Sequence, residues 1–208
     1  MKNSRVFIFI LLGFLLPGCA LKPLPATDIY TVAHSLHEPS DRAVNGVTAK
    51  KQRRPITLKL APIQSVSSFN VTDMIYRDVR HGQNKYAYSR WSDAPVRLMQ
   101  TYIQVALEQS QQFLAVVPPT SVSESDYLLE SVLLDFSQHF TEEYSQGVIR
   151  MHFYLINLHT KKIIAGKEFI TIVPASSNNA AGAVLALNQG TSNIVHKLVS
   201  WMGEQDLQ

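Results

Sequence analysis

The sequence contains a single cysteine, Cys19, and this scarcity excludes two kinds of structure. A lone thiol cannot form a disulfide bond within the chain, and it cannot supply a zinc site that needs several cysteines. Charged residues are also few: they make up 17% of the 208 residues, whereas hydrophobic residues make up 46%. This balance argues against global disorder and predicts one folded domain with a sizeable core.

The common catalytic and nucleotide-binding signatures are absent as well. The sequence has no G-x-S-x-G elbow and no G-x-G-x-x-G turn, and Lys161 replaces the first glycine that a P-loop would need before residues 166–167. Asp73, Asp78 and Asp93 show no spacing that would pair two carboxylates for acid–base chemistry. We therefore predict no catalytic residues, no cofactor-binding residues and no enzymatic activity.

The histidines give only weak indications of a metal site. His34 and His37 could share one helical turn, but Pro39 follows at once and no third ligand is indicated, so a plain loop is favoured. His139 and His152 lie on strands that we expect to be neighbours. A histidine pair without a third ligand is more often structural, and we predict no metal site.

The N-terminal segment has the pattern of a signal peptide. Lys2 and Arg5 precede residues 6–16, an apolar run of about a dozen residues. This run matches the core of a secretory leader and is shorter than the roughly 20 residues of a membrane-spanning helix. Without Lys2 and Arg5 the positive and negative charges nearly balance, so the net charge of +3 does not indicate a nucleic-acid partner.

The residues Leu16-Pro17-Gly18-Cys19 resemble the lipobox of bacterial lipoproteins, with Pro17 standing where a small or β-branched residue is preferred. The resemblance implies removal of residues 1–18, acylation of the Cys19 thiol and acylation of the new amino terminus. Two or three acyl chains hold a protein on a bilayer far more firmly than one. Ala20 implies the outer membrane of a Gram-negative host. An ordinary secretory leader and an uncleaved anchor are the alternatives.

The rest of the chain divides into three parts. Residues 19–28 are predicted to be a lipidated tether, residues 29–203 one domain, and residues 204–208 a tail. Residues 34–55 read as a long polar loop. Its basic stretch at 50–54 could contact anionic head groups, although a solvated loop is the favoured interpretation.

Alternating or continuous apolar residues predict eight strands. They cover residues 29–33, 56–60, 74–79, 85–90, 114–117, 128–136, 149–155 and 163–173. The third and fourth strands flank residues 81–84 and are predicted to form a hairpin. Apolar residues on both faces of 128–136 predict a strand that is buried on both sides. The last three strands are expected to form an antiparallel meander.

Two helices are predicted from apolar spacings of three and four. The first follows a cap at Ser92 or Asp93, with Pro95 in its first turn. Its expected buried stripe is Leu98, Tyr102, Val105, Ala106, Gln109 and Phe113. The second follows caps at 176–179, with Gly190 as a weak point. Its expected stripe is Ala180, Ala183, Val184, Leu187, Thr191, Ile194, Leu198 and Trp201.

These elements predict an α+β fold: a mostly antiparallel sheet with two main helices packed on one face. Trp91 and Trp201 fall where helices meet the sheet, so core packing is favoured over exposed anchors for a partner.

The order of these elements resembles the ABC-type transport auxiliary lipoproteins of the paraquat-inducible protein C type. The likeness covers most of residues 27–203. It is sharpest in a Tyr-x-x-Trp-x-x-x-Pro passage formed by Tyr88, Trp91 and Pro95. The long polar loop departs from the compact start expected of that family.

The resemblance implies a non-enzymatic subunit that is anchored by Cys19 in the outer membrane and faces the periplasm. Its implied partners are an MCE-domain periplasmic protein and inner-membrane transport components, which together move lipids between the two membranes. A homo-oligomer around the periplasmic conduit is one implied arrangement. Another outer-membrane assembly or envelope-integrity scaffold is the alternative, and a periplasmic enzyme is a third hypothesis.

Overall fold

The computed structural model of the protein describes residues 25–32, 53–80 and 82–207. The predicted signal peptide, Cys19, the His34 and His37 pair and most of the polar loop lie outside the described residues. The strands are β1 (Asp28–Tyr30), β2 (Arg54–Leu60), β3 (Gln64–Ser65), β4 (Asp73–Arg77), β5 (Gln83–Trp91), β6 (Phe113–Val117), β7 (Tyr127–Phe140), β8 (Ser145–Asn157) and β9 (Lys162–Pro174). The helices are α1 (Pro95–Gln109) and α2 (Ala180–Glu204).

The described strands form one mixed sheet around β7. Along one edge, β8 pairs antiparallel with β7, and β9 pairs antiparallel with β8. Along its other edge, β7 pairs in turn with β2, β3 and β4, each parallel to it. Strand β6 extends the sheet from β2 in parallel, β5 extends it antiparallel from β4, and β1 is parallel to β5.

The α+β class, the meander and the β4–β5 hairpin are confirmed, and the expectation of a mostly antiparallel sheet is confirmed only in part, because the sheet is mixed. Among the described strands, five of the eight pairings are parallel, although the two longest, β7–β8 and β8–β9, are antiparallel. Short links reveal hairpins in the sequence. Parallel pairs join segments that a helix or a long connection separates, so local patterns do not indicate them.

The core lies between the helices and one face of the meander. The inward residues of β8 are fully buried, and they alternate with more exposed residues as predicted; these inward residues are Ile149, Met151, Phe153 and Leu155. Every residue of the stripe predicted for α2 is buried. Asn179 caps α2, since its side chain accepts a hydrogen bond of 3.0 Å from the backbone N–H of Gly182.

The stripe predicted for α1 is right only in part. Tyr102 is buried, Leu98 and Ala106 are half-buried against the core, and Phe113 is buried but belongs to β6. The residues that α1 buries are Pro95, Val96, Met99, Tyr102, Ile103 and Leu107. Two sides of this helix carry apolar residues at helical spacing. Packing against α2 and β6 buries mainly the side that was not predicted. The N-cap is Ala94 instead of Ser92 or Asp93, although the Asp93 carboxylate accepts a hydrogen bond from the Ala94 N–H at 2.7 Å.

The prediction that β7 is buried on both sides is also wrong for its first half. Leu129 and Leu133 are buried, whereas Leu134 is 38% exposed. A bulge between Leu133 and Asp135 shifts the register and returns Phe136 to the core. An extra residue of this kind interrupts alternation, so Phe136 joins the face of Leu133 instead of the face of Leu134.

Two glycines let α2 lie directly on the sheet. A Cβ atom added at Gly147 of β8 would come within 2.9 Å of the Ala186 Cβ and 3.1 Å of the Ala186 carbonyl carbon. At Gly190 the Thr171 hydroxyl donates to the glycine carbonyl at 3.2 Å, and a Cβ would lie 3.1 Å from Ile149 Cδ1. Gly190 is therefore a point of close contact and not a defect in the helix.

We expect Gly147→Val to lower the free energy of unfolding by about 1–3 kcal/mol, because the added methyls push the backbone of α2 away from β8. Denaturant titration measures the loss. The matched control is Gly166→Val in β9, where a new Cβ would meet only side-chain atoms, the Tyr154 ring at 3.3 Å and His152 Nε2 at 3.7 Å. Equal losses in the two variants would show that close helix–sheet contact is not the cause.

Candidate interaction surfaces at the two ends of the sheet

The strand directions define two ends of the molecule. The β4–β5 end contains the β4–β5 turn, the β7–β8 turn and the start of α2, because Arg77 pairs with both His139 and Gln83. The Ser145 hydroxyl donates to Asn178, just before α2, at 2.7 Å. The β8–β9 end contains the β8–β9 turn, the start of β7 and the connection from β6.

A Ser–Asp–His cluster on the second half of β7 does not have the geometry of a catalytic triad. The Ser137 hydroxyl donates to Asp135 at 2.5 Å. The Nε2 atom of His139 lies 3.0 Å from Asp135 and 3.1 Å from Ser137. A catalytic histidine uses one ring nitrogen for each partner, whereas one nitrogen faces both here, and Ser137 is fully buried. With Arg77 3.7 Å from Asp135, the cluster is a structural polar network.

The histidines predicted on neighbouring strands do not meet. His139 pairs with Gln146, whereas His152 pairs with Val132 and Glu168 farther along the sheet. The ring of His152 stacks on Tyr154 with centroids 4.3 Å apart. In the part of the chain that the structure describes, no group of three or more His, Cys, Asp or Glu side chains could hold a metal ion.

The three scattered aspartates have separate structural roles. Asp73 forms ion pairs with Lys85 at 3.0 Å and with Arg90 at 3.2 Å. Asp78 accepts hydrogen bonds from backbone N–H groups in the β4–β5 turn. A hydrogen bond from Arg97 holds the pKa of Asp93 below its usual value. The three side chains therefore form no carboxylate pair.

Of the basic stretch at 50–54, Arg53 and Arg54 lie within the described residues. The Arg54 guanidinium donates to the carbonyls of Met202 at 3.2 Å and Gly203 at 2.9 Å. A cation at this position satisfies carbonyl groups at the C-terminus of α2 and interacts favourably with the helix dipole. Arg54 therefore stabilises the fold. It is the first residue of β2 and does not belong to the predicted loop.

Tyrosines line a cleft at the β4–β5 end. Tyr30, Tyr86 and Tyr88 enclose about 420 Å³ together with Asp28 and residues 179–181 at the start of α2. The Tyr86 hydroxyl donates to the Gln138 side chain, and burial, with a smaller contribution from Tyr76, raises the pKa of Tyr86 to about 12. Tyr86 therefore stays neutral, while Tyr88 is 48% exposed at the cleft mouth.

The opposite end carries exposed apolar and basic residues. In the β8–β9 hairpin, Lys161 and Lys162 are exposed beside Ile163 and Ile164, and Ile163 is 64% exposed. Val122, on the connection between β6 and β7, is also exposed. Adjacent exposed isoleucines next to lysines are a sequence signal that could have indicated this surface. The tyrosine cleft has no such local signal.

The sequence model of the ABC-type transport auxiliary lipoprotein component family matches residues 38–199. The protein belongs to this family. The match confirms the resemblance carried by Tyr88, Trp91 and Pro95, and the family is one of transport auxiliary lipoproteins rather than a known enzyme family. No curated protein matches the sequence significantly.

Solved structures with the same fold support the architecture of this auxiliary lipoprotein. Protein XCC0632 from Xanthomonas campestris, of family DUF330, is similar with a TM-score of 0.70 and 18% identity, over 84% of this chain and 94% of that one. An uncharacterized protein is similar with a TM-score of 0.65 and 9% identity, over 86% of this chain and 99% of that one. At these identities the likeness establishes the fold alone.

The motif residues of the auxiliary lipoprotein divide between core and surface. Trp91 is 2% exposed and packs edge-on against Phe136 with centroids 5.4 Å apart, and Trp201 is also buried, which confirms core packing for both. Pro95 is the first residue of α1. Neither helix of the described residues has the length and hydropathy needed to cross a membrane.

Proposed function

We propose that the protein is lipidated at Cys19 and acts as the outer-membrane auxiliary subunit of an MCE-type ABC system that moves lipids between the membranes. The observation that carries the proposal is the family match over residues 38–199. The lipobox-like residues 16–19 support the anchor, and Ala20 supports the outer membrane. Residues 1–18 would be removed, and residues 19–28 would tether the domain.

The proposed role is binding and docking, without catalysis. An acyl chain in water costs about 0.8 kcal/mol for each methylene group, so a lipid path needs an apolar shield along its length. We propose that the MCE-domain partner provides the path, and that this subunit, alone or as a homo-oligomer around the conduit, holds its end at the outer membrane. Inner-membrane transport components complete the proposed system, with no nucleic acid involved.

The β8–β9 end is the surface proposed to receive the partner. Because β1 directs the proposed tether toward the β4–β5 turn, an anchor at Cys19 would direct the isoleucines and lysines of the opposite end into the periplasm. Exposed apolar side chains rimmed by charge are typical of protein interaction sites.

Photo-crosslinking in cells tests the proposal. Benzoylphenylalanine placed at Ile163 is expected to crosslink to an MCE-domain protein, whereas the same residue placed at Val79, in the β4–β5 turn, is expected not to. Both positions are substantially exposed, so both substitutions should be tolerated. Crosslinks from Ile163 to an outer-membrane barrel alone would contradict the transport role and support an envelope scaffold.

A further inference from the structure

The course of the chain places the proposed anchor near one end of the sheet. Strand β1 is parallel to β5, with Asp28 beside Ser89 and Tyr30 beside Trp91. Strand β5 begins at the β4–β5 turn, so the residues that precede Asp28 lie on the side of that turn. The tether therefore reaches the domain from the β4–β5 end.

The length of the tether limits which surface can face the membrane. Cys19 is nine residues before Asp28, a span of at most about 32 Å when fully extended. Strand β7 alone, with its 14 residues, is about 43 Å long. Asp28 pairs with Ser89, at most about 20 Å along β5 from the β4–β5 turn, so a tether of this length extends beyond that turn. Because β1 directs the tether toward the turn, an acylated Cys19 would place the β4–β5 end nearer the bilayer than the β8–β9 end.

The chemistry of the β4–β5 end suits a membrane interface. Five of the chain's eight tyrosines lie on this side of the molecule. Tyr88 and Tyr144 are exposed, whereas Tyr30, Tyr76 and Tyr86 are half-buried. Tyrosine combines an apolar ring with a polar hydroxyl and is enriched at the level of lipid head groups. Ile29 is 72% exposed in β1, and Val79 and Tyr144 are exposed in the two turns.

The charges at this end favour uncharged or zwitterionic lipids over anionic ones. Asp73 already neutralises part of the charge of Lys85 and Arg90 through its two ion pairs. Glu142 and Glu143 are exposed in the β7–β8 turn. The surface therefore has no basic excess to attract an anionic membrane, and contact would depend on its tyrosines and aliphatic residues.

We propose that the surface around the tether, from the turns of the β4–β5 end to the exposed Ile29 and Tyr88, rests on the zwitterionic phospholipid head groups of the membrane that holds the anchor. This inference depends on the proposed lipidation of Cys19. It assigns the two ends of the sheet different partners: a lipid surface at the β4–β5 end and a protein at the β8–β9 end.

Fluorescence quenching in the lipidated, full mature protein tests this orientation. Tyr88→Trp and Ile163→Trp each add one tryptophan at an exposed position, one at either end, while Trp91 and Trp201 are buried and give a constant background. The proteins are reconstituted into phosphatidylcholine vesicles with or without a nitroxide quencher on the head groups. The added Tyr88→Trp signal is expected to fall at least about twofold, since interfacial aromatic residues lie at head-group level. The Ile163→Trp signal should not change.

Flotation of the vesicles tests lipid anchoring at Cys19 separately from membrane contact of the folded surface. Protein that floats while Tyr88→Trp stays unquenched overturns the membrane contact but leaves the anchor intact; the tether or a second copy would then cover the surface. Quenching of Ile163→Trp alone reverses the orientation and also overturns the inference. Protein that does not float shows that Cys19 carries no anchor, and both the lipidation and the contact are then wrong.

Discussion

Cys19→Ala is expected to move the protein from the membrane fraction to the soluble periplasmic fraction, provided that the leader is still removed. Each buried methylene of an acyl chain contributes about 0.8 kcal/mol to membrane binding, so two or three chains dominate over any contact made by the folded surface. Alanine keeps a small residue at the cleavage point but removes the thiol that would be acylated. Cell fractionation, with detection of the mature and precursor forms, measures the change.

A matched control keeps the lipid anchor and changes only the membrane to which the protein is sorted. Ala20→Asp leaves Cys19 in place, so the protein should stay in the membrane fraction; by resemblance to other lipoproteins it should be retained in the inner membrane. Mass spectrometry of the mature protein should find acyl chains on Cys19 in this variant and in the parent. A cleaved Cys19→Ala protein that stays in the membrane fraction, or an unmodified thiol in the parent, would contradict lipid anchoring at this residue.

The elements that sequence reasoning predicted well are those whose pattern is local. The alternation from Ile149 to Leu155 marks a strand with one buried face, and the spacings from Ala180 to Trp201 mark a helix with one apolar stripe. Each pattern repeats over several helical turns or several alternating strand residues, so one residue that departs from it does not obscure the element. The hairpin of β4 and β5 was predictable for the same reason, because its strands are joined by a short turn.

The elements that it predicted badly depend on contacts between distant segments. The face of α1 is chosen by α2, which lies more than 70 residues later in the chain, and the bulge at Leu133 becomes visible only in the pairing with β8. The same limit applies to the candidate surfaces. Cys19 is recognised from its immediate neighbours in the sequence. The tyrosine cleft could not be predicted in this way, because it brings together Tyr30, Tyr88 and the start of α2, which are far apart in the sequence.

Trp91→Ala is expected to lower the free energy of unfolding by about 3–5 kcal/mol, which is a large part of the 5–15 kcal/mol of a typical domain. The indole is almost fully buried, and it packs edge-on against Phe136, at the point where β5 leads into α1. Its removal leaves a cavity beside the β7 bulge that rigid strands on both sides cannot fill. Urea titration in the Cys19→Ala background measures the loss in a form of the protein without acyl chains.

Tyr88→Ala is the control from the same motif. Tyr88 is 48% exposed, so its truncation removes little buried surface, and the free energy of unfolding should change by about 1 kcal/mol or less. The two variants separate a motif residue that maintains the fold from one that is available for contact with the membrane. If Tyr88→Ala destabilises as much as Trp91→Ala, the tyrosine belongs to the core in solution, and the proposed membrane surface loses its central residue.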